Sequence, residues 1–212
     1  MRKLLLSILT AFLTLSICAQ DQAKPTHYEF LWINGGVGAG GVISTNIINS
    51  GAVLPAYIEF ALQKRRSRIG IGLAHELYLT PENLGKLVVG NSSNTEKVYL
   101  TWEGMLIPNS PINIGVCSQI GGFLVGNDIK KANENNANPD DNNEISEYNY
   151  FGNVGMLAEV GIRPFFLFVK PYLEYKSYGG FHKEVIGAVT FGIKLKIMTE
   201  DEKARRAAKK KK

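Results

Sequence analysis

The stretch Val185-Ile-Gly-Ala-Val-Thr-Phe-Gly-Ile-Lys-Leu-Lys-Ile197 alternates with a period of two. Val185, Val189, Phe191, Ile193, Leu195 and Ile197 fall on one side, and Ala188, Thr190, Gly192, Lys194 and Lys196 fall on the other. Successive side chains of a β-strand point to opposite faces, so this stretch makes one apolar wall and one polar or small wall. Seven earlier segments read the same way, in approximate bounds 28–42, 54–64, 68–79, 95–107, 112–126, 150–162 and 166–177. In the third, Ile69, Ile71, Leu73, Leu77 and Leu79 oppose Gly70, Gly72, Ala74, Glu76 and Tyr78. In the fourth, Val98, Leu100, Trp102 and Leu106 oppose Lys97, Tyr99, Thr101 and Glu103.

Length and spacing turn this alternation into a fold. Strands that cross a bilayer need about 9–11 residues at a tilt, whereas soluble strands average about 5–6. Every segment meets the longer requirement. The gaps alternate too. Those after segments one, three, five and seven are long: Ser44 to Val53, Thr80 to Asn94, Asn127 to Asn149 and Tyr178 to Glu184. Those after segments two, four and six are short: Arg65 to Ser67, Pro108 to Pro111 and Arg163 to Phe165. Short turns at one end and longer loops at the other are the habit of membrane barrels, with the short turns periplasmic. The expected fold is therefore all-β, an eight-stranded antiparallel up-and-down transmembrane β-barrel. An antiparallel sandwich or soluble ligand-carrying barrel shows the same alternation. Strand length, loop alternation and the Gly, Ala, Tyr and Glu mixture of the polar wall favour a narrow lumen over open water.

The ends of the chain lie outside this pattern. Arg2 and Lys3 precede an uncharged apolar run from Leu4 to Ile17, followed by Cys18, Ala19 and Gln20. This is the layout of a cleaved secretory signal, so the chain divides into a signal peptide at 1–20, a barrel at 21–198 and a basic tail at 199–212. The run is too short for a spanning helix, which takes about 20 residues. A lipoprotein signal with Cys18 as the modified residue wants a small residue before the cysteine, and Ile17 is not small. Once the signal is removed only Cys117 remains, so no internal disulfide forms. The formal charge of +5 resides mainly in the two ends. Without them the body carries about −1, which removes support for nucleic-acid binding. Residues 127–149 hold six acidic and two basic side chains and read as a solvated outer loop.

The eight amphipathic segments, the alternating gaps and a signal ending in Ala19-Gln20 resemble the small eight-stranded outer-membrane barrels of the Bacteroidetes type. The resemblance covers about residues 28–198. It implies residence in the outer membrane of a Gram-negative bacterium, contact with outer-membrane lipids and lipopolysaccharide, delivery by the barrel-insertion machinery, a monomer, and no cofactor. The chain departs from the family at its end: Phe191 lies inside the last strand, and a basic tail follows Met198 in place of a terminal aromatic residue.

The candidate chemistry is mostly inside the wall. The lumen is expected to hold Glu59, Glu76, Glu103, Glu159 and Glu174 against Arg163, Lys170, Lys176 and Lys194, because buried charge is tolerated only when paired and hydrogen-bonded. Eight strands leave just enough room for side chains to fill the interior, so a filled core is expected rather than a wide pore. Tyr28, Phe30, Trp32, Trp102, Tyr150 and Tyr175, with Phe165, are candidates for the aromatic girdles at the two interfaces. Gly36-Val-Gly38-Ala-Gly40-Gly41 matches G-x-G-x-x-G, but no helix follows to hold a pyrophosphate. His75 falls on the apolar wall, as does Ser118, which invites comparison with lipid-modifying barrels. Two strand spacings, about 10 Å, would separate them, against the ~3 Å that a nucleophile and base need. His27, His75 and His182 make no metal-ligand spacing. Asp140, Asn142 and Glu144 alternate in the acidic loop but lack the turn glycine and bidentate glutamate of a calcium loop.

Overall fold

A computed structural model describes residues 28–45, 51–79, 94–107, 110–126, 149–178 and 183–210. The expected signal peptide and the body of the acidic loop at 127–149 lie outside the described residues.

Eight strands form one closed sheet: β1 (Phe30–Thr45), β2 (Ala52–Lys64), β3 (Ser67–Leu79), β4 (Asn94–Met105), β5 (Ile112–Val125), β6 (Asn149–Ile162), β7 (Phe165–Ser177) and β8 (Lys183–Met198). Each strand pairs antiparallel with the next, and β8 returns to β1 to close the barrel. All eight segments read from the sequence are strands, and their order is up-and-down. Closure leaves no unpaired edge, so the backbone polar groups of the wall are met inside the sheet. Three irregularities are local, and the first interrupts the β1–β2 ladder between the Val37–Ala56 and Gly40–Val53 pairs, beside Pro55. The register slips between Val42 and Ser44 against β8, which is a bulge near the long-loop end. The β6–β7 ladder breaks between the Gly155–Tyr172 and Ala158–Val169 pairs, beside Pro171, which has no N–H to give.

The two walls separate by chemistry. Outside stand Ile69, Ile71, Leu73, Val98, Leu100, Ile120, Val154, Leu167, Phe191 and Ile193, all largely exposed. Inside stand three apolar clusters: one around Tyr78, Tyr99, Phe123, Phe151 and Tyr178 towards the long-loop end, one of Met105, Leu157 and Phe168 lower down, and one of Phe30, Trp32, Ala61 and Phe166 at the short-turn end. The barrel is narrow enough that glycine makes room for these rings. A Cβ at Gly36 would stand 2.9 Å from Phe168 Cζ, and one at Gly72 would overlap the Tyr99 ring. The G-x-G-x-x-G match is thus a strand in which Gly36 and Gly38 face the lumen and Gly41 falls on the other face, and it precedes no helix.

After β8 the chain turns into a short helix, α1 (Glu200–Lys210). Thr199 starts it as a cap: its hydroxyl oxygen accepts from the Glu202 N–H at 3.4 Å and donates to Tyr28 O at 2.6 Å. The same residue's N–H donates to Glu29 O at 3.2 Å, tying the end of the barrel to its beginning. Within α1, Lys203 pairs with Glu200, and Arg205 and Arg206 pair with the buried Glu202.

The outward wall sets an expectation for substitution. Leu100→Arg, placed mid-wall, should cost about 2–4 kcal/mol, whereas Leu100→Ile should be nearly neutral. Denaturant unfolding of the vesicle-inserted protein measures both.

Candidate functional site: a charge-neutral lumen

Every strand gives its inward positions to the lumen, and the lumen is dense with charge. Among the described residues the barrel buries six acids (Glu59, Glu76, Glu103, Glu159, Glu174, Glu184) and six bases (Arg68, Lys97, Lys170, Lys176, Lys194, Lys196). The formal charges cancel. They are arranged in three storeys.

At the short-turn end Arg68 forks onto Glu159, with Nη1 donating to Oε1 at 2.6 Å and Nη2 to Oε2 at 2.9 Å, and Nη1 also reaches Glu103 Oε2 at 3.0 Å. Lys194 lies on the same two carboxylates, at 2.7 Å from Glu103 Oε1 and 2.8 Å from Glu159 Oε1. Two cations thus share two anions in a closed square. The Arg68 guanidinium stacks 3.7 Å from the centre of the Trp32 ring, and the indole N–H donates to Gln63 Oε1 at 2.7 Å. Stacked, bidentate guanidinium is the strong form of a buried ion pair.

In the middle storey Glu59 collects Lys170 at 3.3 Å, the Tyr99 hydroxyl at 3.1 Å, Asn34 Nδ2 at 3.2 Å and the Gln119 amide. Towards the long-loop end Lys97 bridges Glu76 and Glu174, while Lys176 bonds Glu76 and the Tyr78 hydroxyl and stands 3.7 Å from Glu174. Glu184 accepts from the hydroxyls of Tyr78 and Tyr178, each at 2.7 Å. A cavity of about 20 Å³ remains between Tyr57, Tyr99, Lys170 and Tyr172, room for about one water. Among the described residues the arrangement packs the lumen with side chains whose formal charges cancel.

The sequence-expected charges fall as follows. Glu59, Glu76, Glu103, Glu159, Glu174, Lys170, Lys176 and Lys194 are buried in the lumen. Arg163 is not: β6 ends at Ile162, so the strand alternation stops one residue short of it. Arg163 lies exposed in the turn to β7, its guanidinium 4.9 Å from the Phe30 ring centre. Arg68, Lys97, Glu184 and Lys196 were missing from the expected network. Arg68 shares parity with Gly70, Gly72 and Glu76, and Lys97 with Tyr99 and Glu103, so alternation could have placed both. Glu184 lies outside the alternation that starts at Val185, because β8 begins two residues earlier, at Lys183.

The aromatic expectation is also corrected in part. Trp102, Tyr150 and Tyr175 point outward, Tyr150 and Tyr175 near the long-loop end and Trp102 near the short turns, where its indole N–H donates to Ser67 Oγ at 2.9 Å. Tyr28 is half-buried just before β1. Phe30 and Trp32 are in the lumen instead, each 1% exposed. They share parity with Asn34 and Gly36 on the inward face, and there they carry Arg68 and the Lys196 ammonium, which is 4.0 Å from the Phe30 ring centre.

On the outer wall His75 is partnered: its Nδ1 lies 2.6 Å from Glu96 Oε1 on the neighbouring strand, towards the long loops. Ser118 is elsewhere. The registers run His75 to Glu96 to Leu124, and Ser118 is six residues from Leu124 along β5. That distance is about 20 Å along the strand, further than the two strand spacings expected. His75 and Ser118 are no catalytic pair.

No protein-family model matches the chain, and no curated protein does. Among solved structures it resembles Neisserial surface protein A (NspA), with a TM-score of 0.48 at 11% identity over 78% of this chain and 96% of that one. A de novo designed transmembrane β-barrel gives 0.42 at 10% identity, over 81% and 98% of the two chains. The outer-membrane protein AlkL, solved by solid-state NMR in DMPC bilayers, gives 0.35 at 12% identity, over 84% and 95%. The fold itself is given by the closed eight-strand ladder described above.

The square at the short-turn end should be fragile to single deletions. Lys194→Met leaves Glu103 and Glu159 with one cation between them, and removal of one partner from a buried pair costs about 3–5 kcal/mol. Loss of Arg68 (Arg68→Met) should cost at least as much, because the fork and the Trp32 stack go together. Guanidinium midpoints of the detergent-folded variants are the readout.

Proposed function

We propose that this protein is an integral β-barrel of the outer membrane of a Gram-negative bacterium, with a sealed lumen and a structural or interaction role exercised through its outer loops. The observation that supports this reading best is the inversion of polarity: a wall of apolar side chains outside and twelve buried charges of cancelling sign inside. A water-soluble barrel would turn those surfaces the other way. The long-loop end then faces outward among lipopolysaccharide, and the short turns, Thr199 and α1 face the periplasm. The barrel-insertion machinery delivers the chain, and it works as a monomer.

The reading is non-enzymatic. Among the described residues the outer wall holds no nucleophile beside a base, since His75 pairs with Glu96 and stands far from Ser118. The loops on the rigid scaffold are where binding would reside.

Membrane fractionation followed by gels with and without boiling tests this. The mature chain should sediment with outer membranes and migrate faster unheated than boiled, since a closed barrel resists detergent. In planar bilayers it should give no steady conductance. A soluble periplasmic product without a heat shift would refute the membrane reading, and a stable open channel would refute the sealed lumen.

A further inference from the structure

A recess of about 590 Å³ lies at the short-turn end beside the β2–β3 turn. Its floor is apolar, formed by Leu62 and Ile69 of the outward wall with Tyr28 beside them, and its rim is the three cations Lys64, Arg65 and Arg66. No acid lines it. Lys64, Arg65 and Arg66 are exposed, and none of them makes an ion pair among the described residues. They differ in this from Arg68, two residues further on, which is fully engaged in the lumen.

The backbone of the turn that carries these cations is held in place. Arg65 adopts a left-handed backbone with φ of 54°, its carbonyl accepts from Gln63 Nε2 at 2.8 Å, and the Arg66 carbonyl accepts from the Met105 N–H at 2.7 Å. The tight turn therefore presents two guanidinium groups where the apolar wall ends. One strand over, Trp102 donates to Ser67, which puts an interfacial aromatic at the same depth. Tail helix α1 is a poorer candidate for a lipid seat, because Lys203, Arg205 and Arg206 already pair with Glu200 and Glu202.

We infer that this recess seats one anionic phospholipid of the periplasmic leaflet, with acyl chain along Leu62 and Ile69 and phosphate against Arg65 and Arg66. The inference rests on the membrane reading given under Proposed function. The two chemistries are complementary: guanidinium groups match phosphate oxygens in pairs, and a lipid-facing floor would meet them at headgroup depth. A free phosphate ion would use the rim alone; a lipid uses rim and floor.

Native mass spectrometry of the detergent-folded full chain, titrated with phosphatidylglycerol or phosphatidylcholine, tests the site. The expected result is one retained phosphatidylglycerol per chain, no retained phosphatidylcholine, and about 30-fold weaker binding in the double variant R65N/R66Q. Asparagine tolerates the left-handed backbone at position 65, and an unheated-versus-boiled gel shows whether the variant still folds. The tail variant R205Q/R206Q should bind as the parent does. Equal retention of the two lipids, unchanged binding in R65N/R66Q, loss confined to the tail variant, or displacement by inorganic phosphate at the lipid's own concentration would each overturn the site while leaving the barrel reading intact. Loss of the heat shift in the parent chain would overturn both.

Discussion

Closing eight strands into a tube with an apolar outer wall forces two requirements on one sequence. Backbone polar groups must be met inside the sheet, and side chains must send apolar groups out and fill the inside with whatever fits. The chain meets the second requirement with ionic residues, which is the costlier choice. Taking a charge out of water costs several kcal/mol, so each lumenal carboxylate here has a cation against it. The equality of six acids and six bases follows from that pressure rather than from any single contact.

The arrangement of those charges explains why the interior is a packed core. Arg68, Glu103, Glu159 and Lys194 come from β3, β4, β6 and β8, so their square ties four strands across the tube. Lys97 and Lys176 do the same between β3, β4 and β7. Aromatic rings lie between the storeys and are themselves covered by cations: Trp32 by Arg68, Phe151 by Lys97, and Phe30 by Lys196. Rings and ions share the same space because each ring offers a negative face to a cation that hydrocarbon would not solvate.

The two rims differ in kind. At the long-loop end the outward wall carries a hydrogen-bonded polar pair, His75 with Glu96, near the ends of β3 and β4. At the short-turn end the wall stops at Lys64 and the turn Arg65-Arg66, with Trp102 and Tyr28 close by. The tail then folds back onto its own barrel, with Thr199 bonded to Tyr28 and Glu29 and Arg206 within 5.8 Å of the Phe30 ring centre. The rim charges of the β2–β3 turn are exposed, whereas Arg68, a few residues further on, is sealed inside.

Much of this was legible in the residues themselves. Alternation with a period of two needs only neighbouring positions, and it is enough to mark the eight strands and their two faces. It also gave the lumenal side of Glu59, Glu103, Lys170 and Lys194. Two kinds of fact needed the folded chain. The first is where alternation stops: Arg163 has the parity of the lumen but stands in a turn, and Glu184 joins the lumen only because β8 starts early. The second is who meets whom. Arg68 and Glu159 are 91 residues apart, and nothing local says that β3 and β6 face each other across a tube of this width. The aromatic residues show the same division: parity with Asn34 put Phe30 and Trp32 inside, but only the closed barrel shows the cations that make a buried ring there favourable. Sequence determines which side of a strand a residue takes, because that is set by the two-residue repeat of the backbone. The partner it meets is decided by closure, because the distance across the lumen is a property of all eight strands at once.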